Sequence, residues 1–292
     1  MKYLSFLLIL ISCQEKHLDS FDIDTFEGEK LVLKMFMGAD NTPMAELRKT
    51  VPPFSPISTT DTVEGASIQV LENGLVVATL DKVDQYNFKN SSNFRFESGK
   101  TYSIAAQMGD ITLNSDLEQI PSVVPIIQDS FFISPDSNSI TIHFHFTDNA
   151  ATTDFYRINT SYKRNGVWEN EIHELLDGLD DPCVFFLAGA SSDFILPDLC
   201  INGQTLAITR NIQLKYFERH QNNIAIYGYT DSVRIILKHI SPAYYDYLKS
   251  ASTQYFATVD PFSDVFNVYS NIIGGYGIAA GFAADTITVD LW

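Results

Sequence analysis

Apolar and polar residues alternate with a period of two along most of this chain, and that period predicts strands. Leu31, Leu33 and Met35 fall on one side of the first run, with Val32, Lys34 and Phe36 on the other. Residues 66–70 and 75–80 form two runs around Asn73-Gly74, a strong hairpin signal. Residues 101–107 and 111–113 repeat the pattern around Gly109-Asp110. The clearest strand covers residues 140–148: Ile140, Ile142, Phe144 and Phe146 face inward, while Thr141, His143, His145 and Thr147 face outward. Further runs cover 155–162, 207–209, 212–217, 224–229 and 232–240. The texture then changes once. Ser241-Pro242 reads as a helix cap followed by proline at the first helical position. Tyr244, Tyr247, Leu248 and Ala251 form a stripe of helical spacing, so a helix is expected over 242–256. Residues 265–269 and 286–291 are expected to close the chain as strands, with the glycine-rich stretch Gly274 to Gly281 between them.

Two prolines, Pro121 and Pro125, end strand pairing between the two halves. The expected fold is therefore mainly β. A β-sandwich over 27–122 is followed by a second β-sandwich domain over 123–292 with one helix. Residues 171–206 show no clean period and read as an insertion loop outside the sheet.

The N-terminus adds a location. Lys2 precedes an apolar run from Tyr3 to Ile11, and Leu10-Ile11-Ser12 leads directly to Cys13. A charged start, a short apolar segment and a small residue at the cut make a signal peptide over 1–12. The run is too short to span a bilayer. The cysteine placed after Leu-Ile-Ser resembles a bacterial lipobox, in which Cys13 becomes acylated, palmitate being a typical chain. More than one chain on Cys13 would anchor it stably. Residues 13–26 are polar and acidic and read as a flexible tether. This places the body outside the cytoplasm on a lipid anchor and leaves open its periplasmic or cell-surface face.

Charge narrows the partners. The net charge of −17 repels nucleic acid, so no nucleic-acid partner is expected, and no basic patch assists attachment to anionic lipid. Hydrophobic residues at 45% exclude a disordered chain. With Cys13 taken by lipid, Cys183 and Cys200 remain as an even pair in an oxidising compartment. Either they form a disulfide, which export favours, or they stay as buried thiols.

Several residue groups carry candidate chemistry. His173-Glu174-Leu175-Leu176-Asp177 resembles a zinc-protease helix with its second histidine replaced, which would make a metal-dependent hydrolase. Gly178 and the acids after it make a poor helix, so a solvated loop is the plainer reading. His143 and His145 share a strand face and could hold a metal as a pair, although no third ligand lies nearby in sequence. Asp177, Asp180 and Asp181 could hold Ca²⁺ through their oxygens, but their spacing departs from an EF-hand. The glycines from Gly275 to Gly281 lack the spacing and helix of a dinucleotide site and read as a closely packed strand turn.

A resemblance now joins these pieces. Phe54-Ser55-Pro56, Glu64-Gly65-Ala66, Gly99-Lys100-Thr101-Tyr102 and Ile120-Pro121 occur in an order similar to that of an uncharacterised family of Bacteroidota outer-membrane lipoproteins, a domain of unknown function. Asp154-Phe155-Tyr156-Arg157 and Tyr244-Tyr245-Asp246-Tyr247 resemble its later segments. Asp260-Pro261-Phe262, Asn271 and Gly274-Gly275-Tyr276-Gly277 resemble its closing signature. The resemblance implies an Ig-like or carboxypeptidase-regulatory-like first domain, no transferable catalytic residues, and encoding beside TonB-dependent receptors. The expectation is a non-catalytic, lipid-anchored binding or accessory protein that partners a TonB-dependent transporter and needs no cofactor. The alternatives are the hydrolase above and a structural or adhesive envelope protein.

Overall fold

The computed structural model describes residues 28–51, 63–170, 185–186, 193–221, 224–259 and 267–291. Strands β1 (Leu31–Gly38), β2 (Met44–Lys49), β3 (Ser67–Glu72), β4 (Leu75–Lys82), β5 (Asn87–Asn90), β6 (Thr101–Met108), β7 (Ile111–Ser115) and β8 (Glu118–Gln119) precede the proline-bounded segment. After it come β9 (Ile127–Ile133), β10 (Ser139–Thr147), β11 (Phe155–Arg164), β12 (Val167–Asn170), β13 (Phe185–Phe186), β14 (Phe194–Pro197) and β15 (Thr205–Gln213). The chain continues through β16 (Lys215–Gln221), β17 (Ile224–Tyr229), β18 (Ser232–Ile240), helix α1 (Pro242–Val259), β19 (Ile272–Ile273) and β20 (Tyr276–Asp290). The fold is mainly β with one α-helix among the described residues.

Fifteen of these strands form one ladder, in the order β13-β14-β11-β18-β20-β1-β2-β5-β4-β3-β6-β7-β19, with β12 on β11 and β8 on β6. A three-stranded sheet β15-β10-β9 and the hairpin β16-β17 complete the strands. The period-two reading places side chains well. Leu31, Leu33, Met35, Ile140, Ile142, Phe144 and Phe146 are all buried. Asn73 and Gly74 both take positive φ, 53° and 79°, which is the twist a tight hairpin requires.

The centre of the ladder is β20. Its first half runs parallel to β1, from Val32↔Tyr276 to Gly38↔Phe282. Its second half runs antiparallel to β18, from Ile240↔Phe282 to Ser232↔Asp290. One strand thus serves both halves and changes partner at Phe282. Within the glycine-rich stretch only Gly274 and Gly275 form a turn, which connects β19 to β20; from Tyr276 onward the stretch is strand. A Cβ on Gly277 would lie 1.8 Å from the Leu33 carbonyl oxygen, so only glycine lets the two backbones pair at this distance.

This arrangement joins the regions 27–122 and 123–292. The first core, built on Leu33, Ile68, Phe88 and Tyr102, includes Ile272 and Ala279 from the chain's end. The second gathers Ile142, Phe144, Tyr156, Phe194 and Leu237. The third lies beneath α1 and contains Ile195, Ile240, Tyr244, Ile278 and Ala280. Helix α1 spans the seam, with Tyr244 stacked on Phe36 at 4.7 Å and Tyr245 stacked on Phe155 at 4.3 Å. Ser241 caps it: the Tyr244 N–H donates to its hydroxyl at 3.3 Å.

Other expectations change. The 171–206 segment is not wholly outside the sheet. Phe194 to Pro197 pairs with β11, and Phe194, Ile195 and Leu196 are buried. Three consecutive apolar residues with both faces covered show no alternation, so period alone could not mark them as strand. Residues 171–184 and 187–192 lie outside the described residues. The helix continues to Val259, past the expected end at 256. Residues 267–269 are not strand, and 265–266 lie outside the described residues.

Candidate functional site

Where the two halves meet, a cleft of about 820 Å³ opens. It is lined by the end of β8 and the proline-bounded segment, the β10–β11 turn, and the start of α1. Each wall has a local cause. Pro121 and Pro125 hold the linking segment out of the ladder. The β10–β11 turn is closed by Thr152 N–H donating to the Asn149 carbonyl at 3.2 Å. The cap at Ser241 aims the first turn of α1 at the opening.

The polar groups in this cleft converge from distant parts of the sequence. His239 lies opposite Tyr156 across the β11–β18 ladder. Its Nε2 meets Asp154 Oδ1 at 3.0 Å, and its Nδ1 meets the Ser122 carbonyl at 2.8 Å. Both ring nitrogens thus meet oxygen atoms, and the imidazole ties the linker to the β10–β11 turn. Asp154 also accepts from the Thr152 hydroxyl at 2.7 Å. Behind it, Asp148 accepts from the Tyr156 hydroxyl and the Gly203 N–H, each at 2.7 Å. Asp198 completes this acidic group. Burial, reinforced by Asp148 and Asp154, pushes its carboxyl upward. Burial and the neighbouring Asp148 likewise push the Tyr156 hydroxyl upward.

On the other wall, Glu118 is buried, and burial pushes its carboxyl upward against the opposing pull of the Ser241 hydroxyl and the Gly281 N–H. The Gly281 N–H donates to Glu118 Oε1 at 3.3 Å. A raised carboxylate favours the folded state when protonated, because the fold then binds the proton more tightly than the unfolded chain. Stability from this group therefore falls as pH rises from the ordinary carboxylate range through its raised value. Glu118→Gln removes that dependence. Urea unfolding at pH 5 and pH 7.5 is expected to show the variant gaining on the wild type at the higher pH. An equal difference at both would show that Glu118 is not desolvated.

The site residues read from the sequence fare differently. His143 and His145 do share a face, but their rings bond outward to different strands. His143 Nδ1 meets the Thr209 hydroxyl at 2.9 Å, and His145 Nδ1 meets Asp129 at 2.8 Å. No group of three His, Cys, Asp or Glu among the described residues is arranged to hold a metal. Cys13, His173, Glu174, Asp177, Asp180, Asp181, Cys183, Asp260, Pro261 and Phe262 lie outside the described residues. Cys200 ends a short 3-10 turn and packs against the second core.

Asn271 acts as a substitute for a strand neighbour. Its amide donates to the Ala279 carbonyl at 2.8 Å and accepts from the Ala279 N–H at 3.0 Å. Gly274 and Gly275 bring the preceding turn against backbone, with Cβ positions that would fall 2.4 Å from the Thr112 oxygen and 2.5 Å from the Leu31 oxygen. The closing segment is thus a packing device for β20. Sequence reasoning missed Glu118, Asp154 and His239 as a group, since no spacing links positions so far apart and only the β11–β18 register and the linker bring them together.

No helix among the described residues is long and apolar enough to cross a membrane. No curated protein matches the chain. A family model matches residues 19–288, nearly the whole length and both halves of the ladder. The chain therefore belongs to the family described as a domain of unknown function, DUF4249.

Proposed function

We propose that this chain is a non-catalytic binding protein, held at the outer membrane by lipid on Cys13, which serves as an accessory partner of a TonB-dependent transporter. The observation that carries the binding role is the cleft. Its volume of about 820 Å³ lies within the range of small-molecule sites, and it sits at a junction between halves, where such sites concentrate. Its chemistry favours binding over catalysis. Both ring nitrogens of His239 are engaged, by Asp154 and by the Ser122 carbonyl, which ties the imidazole into the wall of the cleft. Attachment rests on the lipobox-like Leu10-Ile11-Ser12-Cys13, and the transporter partnership rests on the resemblance of the chain's motifs.

Two finer points belong to the same proposal. The long ladder folds over itself into sandwich layers, the first of them Ig-like or carboxypeptidase-regulatory-like. Support comes from strand number, since strongly twisted open sheets of this size curl or split. A bridge between Cys200 and Cys183 is part of the same proposal, because export leaves them as an even pair in an oxidising compartment.

Metabolic labelling with a clickable palmitate analogue tests the anchor. Wild type should carry the label and sediment with outer membranes, and Cys13→Ala should lose nearly all of both. Label retained on Cys13→Ala would overturn lipidation there. Mild crosslinking of the lipidated protein in outer membranes, followed by mass spectrometry, tests the partner. A TonB-dependent barrel recovered in near-equal amount supports the accessory role, and recovery of the protein alone overturns it.

A further inference from the structure

We propose that Lys238 and Arg157 form a second binding site, for an anionic group of the carboxylate or phosphate class, on the helix-side face of the sheet. This site is separate from the cleft and does not depend on the function proposed for it. The β11–β18 register sets Arg157 directly opposite Lys238, so both side chains leave the same face. His239, the next residue on β18, leaves the other face toward the cleft.

Arg157 is fixed from two directions. Its Nε donates to Asp193 Oδ2 at 3.2 Å, its Nη2 donates to the same oxygen, and its Nη1 donates to the Tyr244 hydroxyl at 3.0 Å. Asp193 and Tyr244 are buried, so the guanidinium cannot swing away. Lys238 has no such acceptor among the described residues. Its Nζ lies 5.2 Å from the centre of the Phe282 ring. The group therefore holds two cations against one carboxylate, in partial burial, where a missing counter-charge is costly. A lysine in that position meets the need of an incoming anion: flexible, strongly attracting, and uncommitted.

Two further observations agree. Burial, reinforced by the Arg157 charge and opposed by Asp193, pushes the Lys238 amine down to about 8. Asn159 lies on the same face of β11, two residues from Arg157, and its buried Oδ1 has no hydrogen-bond partner. A ligand whose acid group is flanked by an O–H or N–H would satisfy the cations and this acceptor together.

The test uses the mature chain with its lysines reductively ¹³C-methylated, which preserves their charge. The Lys238 methyl signal is assigned by its loss in Lys238→Arg and titrated from pH 6 to 11. Titrations are run in inorganic phosphate, in acetate, and in chloride at matched ionic strength. A bound anion should raise the Lys238 midpoint by about one unit or more over chloride, while exposed Lys89 stays unmoved. A shift with phosphate alone assigns a phosphoryl ligand, and a shift with acetate alone assigns a carboxylate. No shift beyond chloride with either anion overturns the site. Calorimetry of the anion that shifts the signal gives a second readout. Lys238→Met should weaken its Kd tenfold or more, and unchanged affinity in a folded Lys238→Met overturns the proposal. Should that variant fail to fold, the wild-type titration still decides.

Discussion

Replacing Gly277 with alanine is expected to cost on the order of 4 kcal/mol of folding stability, in the range that marks a broken structural device. Two effects add. Gly277 has φ of +125°, a conformation that L side chains rarely adopt, worth about 1–3 kcal/mol of strain in a substituted residue. The new Cβ would also lie 1.8 Å from the Leu33 carbonyl oxygen and within 3 Å of two further Leu33 backbone atoms. Those atoms belong to the backbone of β1, so nothing flexible can move aside. Relief requires β1 and β20 to separate, and that pairing connects the two halves of the ladder. A domain of ordinary stability, about 5–15 kcal/mol, would lose a large share of it. Gly74→Ala is the control. It too has positive φ, but its Cβ would meet nothing within 4 Å, so only the backbone cost of about 1 kcal/mol applies. Urea midpoints of both variants decide. A Gly277→Ala loss no greater than that of Gly74→Ala would show that the strand contact is not limiting.

The opposite sign is expected at Lys238. Replacing it with methionine should stabilise the fold near neutral pH by about 2 kcal/mol. The amine falls from 10.5 to about 8 on folding, which corresponds to up to about 3 kcal/mol of disfavoured charge. Solvent on its outer side and the lost contact with Phe282 reduce that figure. The pH dependence follows from linkage. Above 10.5 the amine is neutral in both states and costs nothing. Between 10.5 and 8 the unfolded chain holds a proton that the fold lacks, so wild-type stability falls as pH is lowered through this window. Below 8 both states are protonated and the full cost remains. The gain of Lys238→Met should therefore be largest below pH 8 and fade toward pH 10.5. Chemical unfolding at pH 7 and pH 10 checks it, and a gain that is absent at pH 7 or equal at both would show a solvated amine. The same burial that makes this lysine costly to the fold makes it useful to an anion.

The sequence by itself determined the strand content, the inward faces of β1 and β10, the Asn73-Gly74 hairpin and the capped helix. Each is local: the side-chain period, the turn residues and the cap lie within a few positions of one another. It also carried the expectation of a lipid-bearing Cys13, because a signal peptide is read as a linear segment. Other features exist only through pairing between distant residues. The sequence marked Gly274 to Gly281 as unusual but could not show that the stretch is strand from Tyr276 onward, since the reason is the backbone of β1 roughly the whole chain away. Phe194-Ile195-Leu196 looked like loop because a strand buried on both faces loses its period. His143 and His145, alike in sequence, are drawn to different neighbours by Thr209 and Asp129. The cleft at Glu118, Asp154 and His239, and the cation pair at Arg157 and Lys238, were decided by tertiary structure alone. Register across β11 and β18 sets the second pair, and the meeting of linker, turn and helix cap sets the first. Coulombic and hydrogen-bonding groups act through space, and only the fold sets their distances.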